Sequence, residues 1–336
     1  MQYKALALQI SCDAVNACEK RAQADESMFA AISKINKQIK ASKKFIGQDL
    51  KLVVLPEYFL TGFPMEEHLP EWQEKACLHK NSKQWQELAN IAIENDIFLS
   101  GNVYELDENF PSLYFQASFI FSPAGVKILN YRRLISMFTP TPHDVWDSYL
   151  SLYSYESVFP VADTELGKLA CIASEEILYP EIARCLFMKG AEVLLHSSSE
   201  VSSPLLTQKN IAKQARAIEN MAYVVSANSA GIRGIDIPFA STDGSSKIIQ
   251  YEGMVLSEAG AGESMVASAT IHLSALRQSR ARVGMPNIAA RQRFELFAES
   301  YARNAIYPVN SLLNQTPHKK IFLENIRKGI ENLKLP

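Results

Sequence analysis

The sequence has no apolar run of about 18 residues, so it offers no membrane-spanning helix. Its opening, MQYKALALQISCD, enters a strand-like pattern too soon for a secretory leader. Neither charge predominates. The 34 Lys and Arg face 36 Asp and Glu for a net charge of −2, which removes the footprint of a nucleic-acid or anionic-membrane binder. The five cysteines are odd in number and scattered, which excludes a disulfide scaffold, and no CxxC or Cys/His spacing offers a metal site. The glycines form no dinucleotide or phosphate cradle; DGSS, Asp243 to Ser246, lacks a following Lys-Ser/Thr and reads as a turn. These absences leave a cytoplasmic protein without metal or cofactor, whose partners are a small-molecule ligand or substrate and no nucleic acid or membrane.

What is there is alternation of strand-like and helix-like segments. YKALALQIS, LKLVVLPEYF and IFLSGNVYEL are apolar runs bounded by turn signals, and MFAAISKINKQIKAS and KQWQELANIAIEND separate them at helical period. A hairpin follows, YFQASFIFSPAGVKILNYRR, turning at Pro123 to Gly125, then strands in GKLACIAS, GAEVLLHSSS, YVVSANSAG and KIIQYEGMVLSEA. That order predicts a layered α/β domain over residues 1–285. In PLLTQKNIAKQARAIENMA, the spacing of Leu206, Ile211, Ala215 and Ile218 predicts a helix packed on its apolar face. Phe138 to Val161, with early prolines and many aromatics, reads as a loop or lid. Residues 286–336 read as an appended helical arm.

Three positions carry the chemistry. Glu57 follows an apolar strand directly after Pro56, where the chain must leave the sheet. Tyr131-Arg132-Arg133 ends the hairpin's second strand. In LACIASEEILYPEIARC, Ser174 stands seven residues after Gly167 and six before Pro180. These blocks, in this order and spacing from about Tyr3 to Arg282, resemble the nitrilase (carbon–nitrogen hydrolase) superfamily, which cleaves amides, nitriles and related C–N bonds with a Glu-Lys-Cys set. The resemblance implies a four-layer α-β-β-α sandwich, a homodimer, Glu57 in the Glu seat, Arg133 in the Lys seat and Ser174 in the Cys seat. It also implies that Tyr58, Phe63, Glu176, Tyr179, His196 and Glu200 lie near the pocket mouth. Phe294, Leu296, Phe297, Tyr301, Ile306 and Tyr307 of the arm would cross to the partner.

The seat changes alter what the site can do. A thiol is a few per cent ionised near neutrality, whereas a serine attacks only with a base holding its proton. A guanidinium beside a carboxylate favours the ionised form and opposes that role, and it cannot shuttle a proton itself. The first expectation is therefore a degenerate site that binds a small amide- or carboxylate-like ligand with little thiol-type turnover. The rival is an active hydrolase using Ser174 as nucleophile or to position water; a scaffold with a plugged cleft is the third class. Cys171, three residues before Ser174, faces away from it by strand alternation and reads as a structural thiol. Asp144, after His143, reads as the cap of a helix through VWDSYLSLY rather than a further acid.

Overall fold

The computed structural model describes residues 1–65, 67–201, 203 and 206–333. Its strands are β1 Gln2–Ala7, β2 Cys12–Asp13, β3 Leu50–Val54, β4 Phe98–Leu106, β5 Tyr114–Phe121, β6 Lys127–Arg132 and β7 Ala162–Thr164. They continue as β8 Gly167–Ala173, β9 Val193–Ser197, β10 Tyr223–Ala227, β11 Ile232–Arg233, β12 Lys247–Ile249, β13 Val255–Glu258 and β14 Ser268–His272. The helices are α1 Arg21–Ile46, α2 Leu69–Ala76, α3 Lys83–Asn95, α4 Trp146–Tyr153 and α5 Pro180–Met188. They end with α6 Gln208–Asn220, α7 Leu273–Ala281, α8 Glu295–Arg303 and α9 Lys319–Asn332. Two six-stranded mixed sheets result, ordered β14-β1-β3-β4-β5-β6 and β13-β12-β10-β9-β8-β7, with β2 and β11 paired apart.

Strand alternation builds the layers, because successive side chains take opposite faces. Leu6, Val53 and Leu99 turn outward onto Met28, Ile32 and Ile35 of α1 and Leu88 and Ile91 of α3. Leu52, Val54 and Tyr131 turn inward and meet Cys171, Ala173 and Leu195 of the second sheet. Ala170, Ile172 and Leu194 then face Ile182 and Leu186 of α5 and Ala212 and Ala217 of α6. The chain is thus an α/β sandwich of four layers. The expected hairpin is present, with β5 and β6 antiparallel, and Gly125 supplies the positive φ of +74° that its turn needs.

Three expectations are corrected here. Phe138 to Val161 is not a free lid: it holds α4, and Val145, Tyr149 and Val158 are buried with Phe110 and Phe115. The C-terminal arm joins the same cluster through Leu312, Ile321 and Phe322, so its α9 end packs on its own subunit. Helix α8 buries none of its side chains, and Leu296, Phe297 and Tyr301 are exposed. Helix α6 lies with its apolar ridge outward, leaving Leu206, Ile211 and Ile218 exposed, while Asn210, Lys213, Arg216 and Asn220 are buried. Those polar groups face in because they have acceptors there: Arg216 donates to the carbonyls of Ile177 and Leu178 at 3.0 and 3.1 Å.

Truncation at Pro286 is therefore expected to destabilise the chain. Each of Leu312, Ile321 and Phe322 contributes about 2 kcal/mol of burial, so the urea midpoint should fall; an unchanged midpoint would remove the arm from the core.

Candidate active site

Glu57 leaves the end of β3 after Pro56, and its N–H donates to the Ser198 carbonyl, just beyond β9, at 3.2 Å. The side chain is fully buried. Its Oε1 accepts from Gln116 Nε2 at 2.6 Å and from Arg133 Nη1 at 3.4 Å. Among the described residues, Oε2 accepts no hydrogen bond. Buried polar atoms are normally paired, so this oxygen is suited to an incoming donor.

Arg133, one residue past β6, spends its guanidinium on the protein. Nε donates to the Ile135 carbonyl at 2.7 Å, Nη1 to Gln116 Oε1 at 2.7 Å as well as to Glu57, and Nη2 to Glu175 Oε1 at 2.5 Å. Burial opposes the charge, but Glu57, Tyr58, Glu175 and Glu176 outweigh it and raise the group's proton affinity. Gln116 is the hinge of this array: it accepts from the cation and donates to Glu57 and, at 2.8 Å, to Asn102 Oδ1.

Ser174 stands at the end of β8 with φ of +51°, in the left-handed region, and Tyr58 beside Glu57 has φ of +61°. Non-glycine residues adopt this region at a cost, and such residues concentrate at functional sites. The turn after Ser174 is held from three directions. His196 lies within hydrogen-bond reach of the Ser174 carbonyl through Nε2 at 2.8 Å and of Ser226 Oγ through Nδ1 at 2.9 Å. A carbonyl only accepts, so Nε2 carries the proton and Nδ1 accepts from Ser226. Arg216 holds the turn from α6. Glu176 closes it, accepting from the N–H groups of Leu134, Ile135 and Ala173 and from Tyr131 Oη.

Electrostatics separate these groups. Burial, then the Lys213 charge, lowers the His196 pKa to about 3, so the ring is neutral. Burial raises Glu176 to about 7 against the opposing pull of Arg133 and its hydrogen-bond donors. Burial would also raise Glu200, but the charge and hydrogen bond of Lys213 outweigh it and hold the carboxyl below its ordinary value. Among the described residues no group hydrogen-bonds the Ser174 hydroxyl, since His196 is spent on the carbonyl.

The structure thus joins Glu57 to Arg133 directly, and Ser174 adjoins both Glu175, which binds Arg133, and the His196 anchor. Tyr58 and Phe63 meet with ring centroids 5.1 Å apart and planes tilted by 45°, and Tyr179 is 39% exposed just before α5. Glu176, expected at the mouth, is instead a buried clamp, because four donors converge on it. Glu200 is likewise buried, paired with Lys213 of α6. Asp144 does not cap α4; it reaches back to the N–H and hydroxyl of Thr141 and accepts from Ser311. Cys171, expected as a structural thiol, lies between the sheets, 1% exposed and 3.7 Å from Ser100 Oγ, and burial pushes its thiol up to about 12. Three residues went unread in the sequence: Gln116, a lone amide in the apolar run YFQASFIF; Glu175, masked by its acidic neighbour; and Lys213, on a helix read as ordinary.

The buried Glu57–Arg133 pair and the Ser174 turn stand at the ends of strands whose sequence matches one family model, Carbon-nitrogen hydrolase, over residues 20–281. The chain belongs to the carbon–nitrogen hydrolase family. A curated relative, the omega-amidase NIT3 of Saccharomyces cerevisiae, is 27% identical over 226 residues, covering 65% of this chain and 74% of that protein. A formamidase of Bacillus thuringiensis is 26% identical over 271 residues, covering 80% and 74%. Among solved structures, Saccharomyces cerevisiae Nit3 superposes with a TM-score of 0.64 at 22% identity, over 84% of this chain and 95% of its own. A carbon–nitrogen hydrolase from Helicobacter pylori G27 gives 0.64 at 20%, over 90% and 98%. At these identities the superpositions establish the fold. This carbon–nitrogen hydrolase family member has, among its described residues, no cluster of His, Cys, Asp and Glu that would hold a metal ion, and no helix long and apolar enough to cross a membrane.

Proposed function

We propose that Glu57, Arg133 and Ser174 form a degenerate carbon–nitrogen hydrolase site, with serine in the nucleophile seat and arginine in the lysine seat. It binds a small amide- or carboxylate-like ligand with little or no thiol-type turnover. The observation that carries this reading is the Ser174 hydroxyl: among the described residues no base hydrogen-bonds it, and a serine without a base is a poor nucleophile. The amide-cleaving names of the curated relatives support an amide as the ligand. Five free cysteines support a reducing, cytoplasmic setting. Exposed apolar residues on α6 and α8 support a homodimer.

One observation favours the rival, a serine hydrolase: among the described residues Glu57 Oε2 has no hydrogen-bond partner, and its side chain is fully buried, an acceptor that a reacting group could use. The test is incubation with a panel of short amides and esters, followed by intact-mass analysis and product assay. We expect no acyl adduct and no product, with ligand-dependent thermal shifts that are lost in Glu57→Gln. An adduct mapped to Ser174, or turnover abolished by Ser174→Ala, would establish the serine hydrolase instead.

A further inference from the structure

We propose that Glu175 occupies, from within the chain, the seat on Arg133 that an anionic ligand would take, and so makes the pocket selective for neutral carboxamides over carboxylates of the same shape. This rests on the binding reading above and narrows its ligand class.

The two carboxylates on Arg133 are not equivalent. Glu175 Oε1 lies 2.5 Å from Nη2, whereas Glu57 Oε1 lies 3.4 Å from Nη1. Glu175's side chain keeps 32% exposure, while those of Arg133 and Glu57 keep 6% and 0%. The nearer partner is therefore also the one on the solvent side, where a ligand arrives. Nε and Nη1 are committed to Ile135, Gln116 and Glu57. With those donors spent, Nη2 is the guanidinium nitrogen left to serve an anion, and Glu175 already holds it, so a carboxylate can take that seat only when Glu175 withdraws.

Charge points the same way. Glu57 and Glu175 flank one guanidinium, and both act on its charge. Another carboxylate would enter against like charge, and like-charge juxtaposition is a strong means of rejecting a ligand. A neutral amide meets no such barrier. Its NH₂ can donate to Glu57 Oε2 and its carbonyl can accept from the Ser174 hydroxyl, neither of which has a hydrogen-bond partner among the described residues.

The turn that carries Glu175 does not depend on its side chain. His196 holds the carbonyl of residue 174, Arg216 those of residues 177 and 178, and Glu176 the N–H of residue 173. Replacing Glu175 therefore removes the internal anion and leaves the backbone frame in place.

The experiment is calorimetric titration of propionamide and propionate, a near-isosteric pair, into wild type, Glu175→Gln, Glu175→Ala and Glu175→Ala/Arg133→Ala at two salt concentrations. Wild type should prefer the amide by at least about tenfold. Propionate should gain at least about tenfold in Glu175→Ala, less at high salt, and the gain should vanish in the double variant. Amide binding to wild type with no propionate gain in either single variant overturns the role of Glu175 and leaves the binding reading standing. A propionate gain with no amide binding in any variant upholds Glu175 and overturns the amide as ligand. Absence of both ligands from every variant overturns both.

Discussion

Replacing Arg133 with methionine should lower the unfolding free energy by about 3–5 kcal/mol, because breaking a buried ion pair leaves a charge in low dielectric without its partner. Glu57 is the exposed cost of that change in energetic terms: it is wholly inaccessible and would keep only the Gln116 amide on Oε1. The Ile135 carbonyl and Gln116 Oε1 would each lose a donor as well. Adding Glu57→Gln removes the stranded charge and should recover at least about 2 kcal/mol, since a neutral buried amide is far cheaper than an unpaired carboxylate. Urea denaturation of the two single variants and the double variant measures the cycle. An Arg133→Met protein within about 1 kcal/mol of wild type, or a double variant no better than the single, would show that charge pairing is not what holds this corner.

Stability should also depend on pH through two groups that oppose each other. The His196 pKa falls from an ordinary 6.5 to about 3 in the folded protein. Between those values the unfolded chain binds a proton that the native state refuses, so stability is lost as pH falls through that window. The Glu176 pKa rises from 4.5 to about 7. There the native state keeps a proton that the unfolded chain releases, so stability is lost as pH rises from 4.5 toward 7. Each slope is about 1.4 kcal/mol per pH unit, and the two nearly cancel where the windows overlap. Relative to wild type, His196→Gln should gain stability toward acid across the overlap. Glu176→Gln should lose stability toward acid instead, beyond the constant penalty of its lost acceptor bonds. Thermal melts at several pH values read these differences, and parallel profiles for all three proteins would contradict both assignments.

Sequence reasoning reached the sandwich because alternation survives in strands packed on both faces, and it placed Glu57, Arg133 and Ser174 at strand ends because turn signals and fixed offsets are local features. It failed where direction or distant partners decide. The period of α6 marks an apolar face but not which way that face looks, and here Lys213 and Arg216 look inward because Glu200 and the carbonyls of residues 177 and 178 need donors. Phe138 to Val161 reads as a loop because its packing partners, Leu312 and Phe322, lie far along the chain. Glu175 and Glu176 are adjacent acids with opposite fates. The left-handed backbone at Ser174 ends the alternation, so spacing could not say which of them would meet the cation. Cys171 is the buried thiol that its place in the strand suggested, 1% exposed between the sheets.

The Glu176 clamp has a mechanical consequence. One carboxylate fastens the chain leaving the first sheet, at residues 134 and 135, to the last rung of β8 in the second. The two sheets therefore cannot slide past one another at this corner. Tyr179, exposed, and Tyr58 and Phe63, half-buried, are free of that fastening, and an engineer reshaping the site would begin with them.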